Sequence, residues 1–408
     1  MEASPRVLGI TQAGGQGSRM DVLTRERAKP ALAFAGSYKL IDFALSSFAH
    51  SHISDVWVSV AYLAASLDPY IAHGRPWDLD RTRGGYRRLV PEQGRATSES
   101  GFADGNADNL VQIAGQIRQF APDALVVMSA DHVFRLDLRP VVREHLERGA
   151  ECTIVTADVT RSQAAHKAVV TVDAAGRVTR FSYKPDRPDS TTIATEIFVY
   201  DPQTLLAELA RLRIDLGHED DDSSGLGDFG DHLLPALVRR GKTWATPITH
   251  YWRDLGRPEE YLQAHRDLLA GRVDVFDDLD QPILSRWPER PPARVGASGE
   301  VNDSLLSPGV DVRGTVHRSV LGPGTVVEAG AVVEGCVIGS GVQIGRDARV
   351  HTAIVDDGTR IGRGARVGAP PRATKVRDAD IALIGIDCRI GTNAVIEPGA
   401  RLEPGGSA

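Results

Sequence analysis

The first two-thirds of the chain alternates short β-branched or apolar runs with stretches of wider apolar spacing. Segments 7–10, 56–60, 125–128, 152–155, 168–172 and 178–183 read as strands, whereas 108–120, 139–148 and 258–270 read as helices. Strands and helices in succession predict βα units building a mostly parallel sheet, an α/β domain over residues 1–270. Past residue 295 the texture changes to Val, Ile and Gly with a period of six. Positions 310 and 316, then 320, 326, 332, 338, 344 and 350, then 361 and 367, then 384, 390, 396 and 402 each step by six after their first member or continue the run. This period predicts a left-handed parallel β-helix over 296–408, in which each hexad gives one strand to a face of a triangular prism and turns its apolar residue inward, Val326 and Val332 among them. Pro282, Pro288, Pro291 and Pro292 mark a stiff linker over 271–295. Segment 368–383 is read as a loop leaving one corner of the prism, and 217–230, with its acidic run 219–222, as an exposed loop.

A solenoid cannot bury its ends alone, so the β-helix is expected to dock on the first domain and on neighbouring subunits, giving a homo-oligomer. The 408 residues, 42% of them apolar, suffice for two domains. No apolar run reaches membrane-spanning length and the start lacks a signal-peptide core, which predicts a soluble, cytoplasmic protein. A net charge of −7 argues against a nucleic-acid binder. Cys152, Cys336 and Cys388 are too few and too scattered for a disulfide framework or a thiolate zinc site.

The first strand runs into Ala13-Gly14-Gly15-Gln16-Gly17-Ser18-Arg19, with Arg27-Ala28-Lys29-Pro30 shortly after. Gly14, Gly15 and Gly17 permit backbone N–H groups to approach phosphate oxygens, and Arg19 and Lys29 add fixed positive charge. Glycines after a first strand also serve merely to tighten a turn. The loop fits neither G-x-G-x-x-G nor a Walker loop. Asp131, just past strand 125–128, stands where a catalytic carboxylate is expected in a sheet that binds ligands at its carboxyl edge.

These segments, together with Tyr38-Lys39-Leu40-Ile41-Asp42-Phe43, Gly105-Asn106-Ala107-Asp108, Ser129-Ala130-Asp131-His132, Lys184-Pro185, Asp228-Phe229-Gly230 and Tyr251-Trp252-Arg253-Asp254-Leu255-Gly256, resemble the sugar-nucleotide pyrophosphorylases, within them the glucose-1-phosphate adenylyltransferases. The resemblance implies a Rossmann-like nucleotidyltransferase domain followed by the hexapeptide-repeat domain. It implies adenylyl transfer from ATP to glucose 1-phosphate, giving ADP-glucose and pyrophosphate for glycogen or another α-glucan, in a homotetramer under allosteric control by a sugar phosphate. Mg²⁺ is the implied cofactor, with Asp131 and Asp254 as its ligands. Arg19 and Lys29 are then the groups that grip the triphosphate, and Lys184 the one that binds the sugar phosphate. Gln93 falls near the adenine-reading glutamine, though a loop Gln is as readily a turn residue; Gly105 and Asp108 fall in the nucleotide and sugar loop.

Departures from the family pattern concentrate on the sugar. Tyr183 replaces the glutamate that usually precedes Lys-Pro, Lys167-Ala168-Val169 replaces Phe-Gly-Val, and Gln12 enters the first loop, where it is placed to meet base or ribose. Glu196 stands in a segment that normally packs against the sugar; it either restores a carboxylate there or faces a cation such as Lys167. The alternatives are therefore a pyrophosphorylase for a different sugar 1-phosphate or nucleotide, or a catalytically silent regulatory subunit. Arg75, Arg81, Arg83, Arg87 and Arg88 either bind an anionic effector or solvate a loop.

Overall fold

A computed structural model of the chain describes residues 4–15, 17–89, 103, 105–217, 224–370 and 376–408. In the first domain one sheet runs, in spatial order, Val178–Tyr183, Ala168–Val172, Thr192–Tyr200, Ala124–Ser129, Val7–Gln12, Asp55–Ser59 and Gly85–Leu89. The last four are mutually parallel; the long Thr192–Tyr200 strand lies antiparallel to them and also pairs with Cys152–Asp158. Alternation along the strands sends Val56, Val58, Val126 and Met128 toward one apolar layer and Leu8, Ile10, Leu125 and Val127 toward another. The first layer is closed by the Leu40–His50 helix and the second by helices that include Pro202–Asp215. Fully burying one such Val or Leu stabilises the fold by roughly 1.5–3 kcal/mol. The stretch expected as a single helix over 108–120 is two, Asn106–Gln112 and Ala114–Phe120. Ile113 between them leaves helical geometry, its N–H shared between the carbonyls of Asn109 and Val111.

The second domain is the left-handed β-helix, built as three parallel six-stranded sheets whose strands recur once per coil, beginning at Arg294–Val295. Val310, Val316, Ile338, Ile344, Val350, Ile361, Val367, Ile384 and Ile390 fill its interior. Three expected inward residues are corrected: Val326 and Val332 are only half-buried, with Val327 and Val333 pointing inward instead, and Val320 shares the outward register of Val337 while Leu321 faces the interior. The neighbours are Val-Leu, Val-Val and Val-Val, both members apolar in each, so a period of six cannot decide which one faces the core.

One face of the prism lies against the first domain. Val337, Ile354 and Leu383 occupy the same register on successive coils and point outward into the first domain's apolar layer. Beside them Arg27 is ion-paired to Asp356 and, at 3.2 Å, to Asp357. The connecting segment is strapped to the first domain. Leu284 exchanges hydrogen bonds with the Ser46 hydroxyl, Trp77 Nε1 donates to the Leu284 carbonyl at 3.1 Å, and Val275 and Ile283 are buried.

The expectation of an exposed loop over 217–230 is corrected for its second half. Leu226 and Phe229 are core residues, and Ser224 N donates to the Asp108 carboxylate at 3.2 Å. The acidic run 219–222 lies outside the described residues. The three cysteines are buried free thiols, and among the described residues no helix is long and apolar enough to cross a membrane.

Candidate active site

Three chain segments converge at the carboxyl edge of the parallel strands. Val7–Gln12 leads into the glycine loop and Ala124–Ser129 leads into Asp131 and His132. Thr192–Tyr200 arrives antiparallel, with Ile197 opposite Met128, so that Glu196 sits beside the end of that strand. A short ladder between His132–Phe134 and Trp252–Asp254 sets Asp254 directly across from His132, which joins two carboxylates remote in sequence. Together they bound a cleft of about 430 Å³.

Gly17 has φ +63, and a Cβ there would stand 3.0 Å from Lys29 Cβ, so a glycine lets the loop press onto the lysine stem. Gly15 is exposed at the cleft and Gly14 packs toward Ala61. Lys29 is 6% exposed. Its Nζ lies 2.5 Å from Asp131 Oδ2 and 3.5 Å from Asp254 Oδ1. The other Asp254 oxygen is ion-paired to Lys167, and the Ser129 hydroxyl donates to Asp131 Oδ1 at 2.5 Å. Burial works to raise both aspartates, yet the neighbouring ammonium groups outweigh it and hold both carboxyls below the usual carboxylate range. The same attraction raises Lys29 against its own burial.

His132 is 2% exposed and faces this cluster, with Nε2 at 3.4 Å from Asp131 Oδ1, 3.7 Å from Asp254 Oδ1 and 3.9 Å from Glu196 Oε2. Donor atoms of Asp131, His132 and Glu196 all lie within 4.8 Å of one another, a set that suits a divalent cation. Asp131 and Asp254, the carboxylates assigned to a metal by resemblance, thus stand in one cluster with Glu196. Lys167, named in the sequence as an alternative partner of Glu196, is ion-paired to Asp254 and also attracts Glu196 electrostatically.

Glu196 adopts φ +57 inside its strand, where the ladder to Cys152–Asp158 shifts register between Ala194 and Phe198. A left-handed glutamate costs about 1–2 kcal/mol. Strain of this type collects at sites where a side chain must be aimed. Glu196→Gly is expected to raise the unfolding free energy by about 1 kcal/mol in urea titrations while it removes the carboxylate; an unchanged or lower value would show that the conformation is unstrained.

On the opposite wall the Tyr183 hydroxyl donates to Asp228 Oδ2 at 3.1 Å, and the exposed Lys184 places Nζ 4.3 Å from the Tyr183 ring centre. Arg19 is exposed at the rim, near Gly256. Gln12 is fixed by donating Nε2 to the Asn106 carbonyl at 2.8 Å, which leaves its Oε1 buried without a partner among the described residues. Gly105 and Asp108 stand behind the wall. A Cβ on Gly105 would meet the Gly227 backbone at 2.3 Å, and Asp108 is 3% exposed and anchors Ser224; Asn106 between them lines the cleft. Gln93 lies outside the described residues.

Sequence reasoning left His132, Ser129, Asn106 and Asp228 without roles. All four lie in or beside motifs it had singled out, and adjacency to Asp131 was the available signal for His132. Of the proposed effector arginines, Arg75, Arg81 and Arg88 are ion-paired to Asp80, Asp78 and Asp68, and Arg87 stacks over Trp57.

Residues 8–271 match the nucleotidyl transferase family, and residues 291–384 match the GlmU-like C-terminal hexapeptide family. Among curated proteins, the glucose-1-phosphate adenylyltransferase of Fervidobacterium nodosum is 31% identical, covering 96% of this chain and 95% of its own. That of Corynebacterium kroppenstedtii is 34% identical over 82% of this chain and 84% of its own, and that of Desulfitobacterium hafniense (strain Y51) 32% identical over 80% of each. The chain belongs to the nucleotidyl transferase family and, within it, to the glucose-1-phosphate adenylyltransferases.

Proposed function

We propose that this enzyme joins ATP to glucose 1-phosphate, releasing pyrophosphate and giving ADP-glucose for glycogen or another α-glucan, with Mg²⁺ as its metal. The observation that carries this reading is the cluster of Lys29, Asp131 and Asp254 at the carboxyl edge of the sheet, in a chain that covers 80–95% of the length of three relatives named glucose-1-phosphate adenylyltransferase. A sugar-phosphate oxygen forms a bond to the α-phosphorus while the bond to the β-phosphate bridging oxygen breaks, and pyrophosphate leaves with the electron pair. Two anions must meet, so positioning and charge matter more than a general base. Asp131 and Asp254 would hold a divalent ion, which would supply Lewis-acid charge at the phosphoryl oxygens.

The glycine loop with Arg19 and Lys29 holds the triphosphate. Lys184 takes the sugar phosphate. Gln12 Oε1, the buried unpartnered acceptor, fits the exocyclic amine of adenine. The family reading carries a cytoplasmic homotetramer with it, and Leu279, Trp287 and Val295 are exposed apolar residues open to a subunit contact.

The Tyr183–Asp228 pair on the sugar wall favours a second reading, the same transfer onto another sugar. A panel of ATP, UTP, GTP and dTTP against glucose, mannose, galactose and N-acetylglucosamine 1-phosphates, followed by pyrophosphate release, separates the two. ATP with glucose 1-phosphate is expected to give the highest kcat/KM. Another preferred pair would establish the second reading, and no turnover with any pair would mark a silent regulatory subunit.

A further inference from the structure

We propose that Arg401, on the last coil of the β-helix, is a positioning residue for the triphosphate loop: it fixes the strained backbone of Asp21 and through it sets Gly17, Ser18 and Arg19. The inference rests on the proposed reading, in which that loop and Arg19 hold the triphosphate.

Asp21 stands two residues past Arg19, inside the Ser18–Thr24 turn, with φ +55 and ψ −130. A residue with a Cβ rarely adopts that region, and such a conformation persists only where its surroundings over-determine it. From within the turn, the Thr24 hydroxyl stands 2.9 Å from the Gly17 carbonyl and 3.3 Å from that of Asp21, and Met20 N donates to the Gly17 carbonyl at 2.8 Å. The backbone of Asp21 is thereby tied to the last glycine of the loop. Its side chain is held from a point 380 residues away, where Arg401 Nε donates to Asp21 Oδ2 at 3.0 Å. Arg25 meets the other oxygen only at 3.5 Å.

Arg401 is itself immobilised. Its Nη1 donates to the carbonyls of Ile381 and Gly399, each at 2.9 Å, and its Nη2 to Asp378 Oδ2 at 2.6 Å, so Nε is a preset donor with little freedom left to lose. The coil behind it is anchored as well: Ile381 and Leu383 share the first domain's apolar layer with Met20, Val22 and Leu23, the buried residues on either side of Asp21. Glu403 adds an ion pair to Arg25 at 3.4 Å. The Asp21 and Arg401 side chains are 34% and 22% exposed, so the attraction between them is weak in itself. Its effect is conformational. Without the tie Asp21 relaxes to unstrained geometry, the fraction of loops ready for phosphate falls, and the apparent affinity falls with it.

The test uses the full chain with Mg²⁺ and inorganic tripolyphosphate, which needs neither base nor sugar to bind, followed by calorimetry. Arg401→Met and Asp21→Gly are each expected to raise the Kd for tripolyphosphate about fivefold, and the double variant no further, because either change opens the same tie. Amide exchange over 18–24 should quicken in both variants while exchange over 305–367 keeps the parent rate. Arg389→Met, the same change on another face of the prism, should bind tripolyphosphate as the parent does. With the nucleotide and sugar phosphate that the parent turns over fastest, KM for the nucleotide should rise by the same factor and kcat stay within about twofold. A parent-like Kd in Arg401→Met, effects that multiply in the double variant, exchange quickened along the whole β-helix, or a parent that does not bind tripolyphosphate would each overturn the proposal. If Arg401→Met fails to fold, Asp21→Gly decides by the same two measurements, and a parent-like Kd there overturns it. Because tripolyphosphate carries no base, preference for another nucleotide would sink the adenylyl-transfer reading and leave this one standing, whereas a parent-like Kd in the variants would leave ATP as the substrate.

Discussion

Asp131→Asn lowers kcat by roughly three orders of magnitude while the protein stays folded. The substitution keeps the side-chain shape, and the Ser129 hydroxyl still finds an acceptor. It removes the charge that Lys29 faces at 2.5 Å while keeping the Oδ1 acceptor that Ser129 uses. Lys29 retains Asp254 at 3.5 Å, so its buried ammonium is not left alone. The loss therefore falls on the transition state, where charge gathers on phosphoryl oxygens and a preset electrostatic arrangement has its largest effect. The pH dependence has a definite sign. The Asp131 carboxyl is depressed in the folded chain, so its contribution to stability is present above the ordinary carboxylate range and disappears as the pH falls through its lowered value. In Asp131→Asn that part of the acid-induced loss of stability should be missing. Steady-state kinetics across a metal titration check the first expectation, and near-parental turnover with an unchanged metal requirement would take Asp131 out of the reaction.

What could be read in the sequence follows from how local the physics is. Strand 124–129 announces itself by four consecutive apolar residues, and Asp131 by standing at its end; both need only nearest neighbours. The hexad is equally local, and it fails at Val320, Val326 and Val332, where an apolar neighbour makes the inward residue a matter of tertiary register. Asp254 became visible through family resemblance alone, because its approach to Asp131 depends on the cross-strand pairing with His132. Glu196 resisted sequence analysis for a further reason: a glutamate with φ +57 is a local contradiction, and only the bulge in its strand explains where the carboxylate points. Gly105 and Asp108, expected in the nucleotide and sugar loop, stand against Gly227 and Ser224 behind the wall, while their neighbour Asn106 faces the cleft. The Pro-rich connection concealed Val275 and Ile283, whose burial needs the helix side of the first domain to be in place.

Arg27→Met is expected to destabilise the chain by about 3–5 kcal/mol, the largest effect of any single change at the contact between the domains. Arg27 is 8% exposed and its guanidinium binds Asp356 and Asp357 of the β-helix, with Asp356 itself 7% exposed. Removing the cation leaves a largely buried carboxylate without its counter-charge. Burial already pushes the Asp356 carboxyl up to about 6 although Arg27 opposes the rise, so without Arg27 it must climb further. A carboxyl raised on folding favours the folded state at low pH, and that advantage is lost as the pH rises through the folded value. The penalty of Arg27→Met should accordingly be smaller at pH 5, where Asp356 takes up a proton, than at pH 8. Replacing both partners, Arg27→Met with Asp356→Leu, should recover most of the loss, because the energetic cost lies in the stranded charge rather than in the missing bond. The consequence reaches the active site: Arg27 precedes Lys29 by two residues, and Val337, Ile354 and Leu383 dock beside it. Arg27→Met should therefore raise the metal concentration needed for half-maximal turnover as well as lower the denaturation midpoint. A loss below about 1 kcal/mol that is equal at both pH values would mean that water reaches Asp356 and that the docked β-helix does not hold the Lys29 loop.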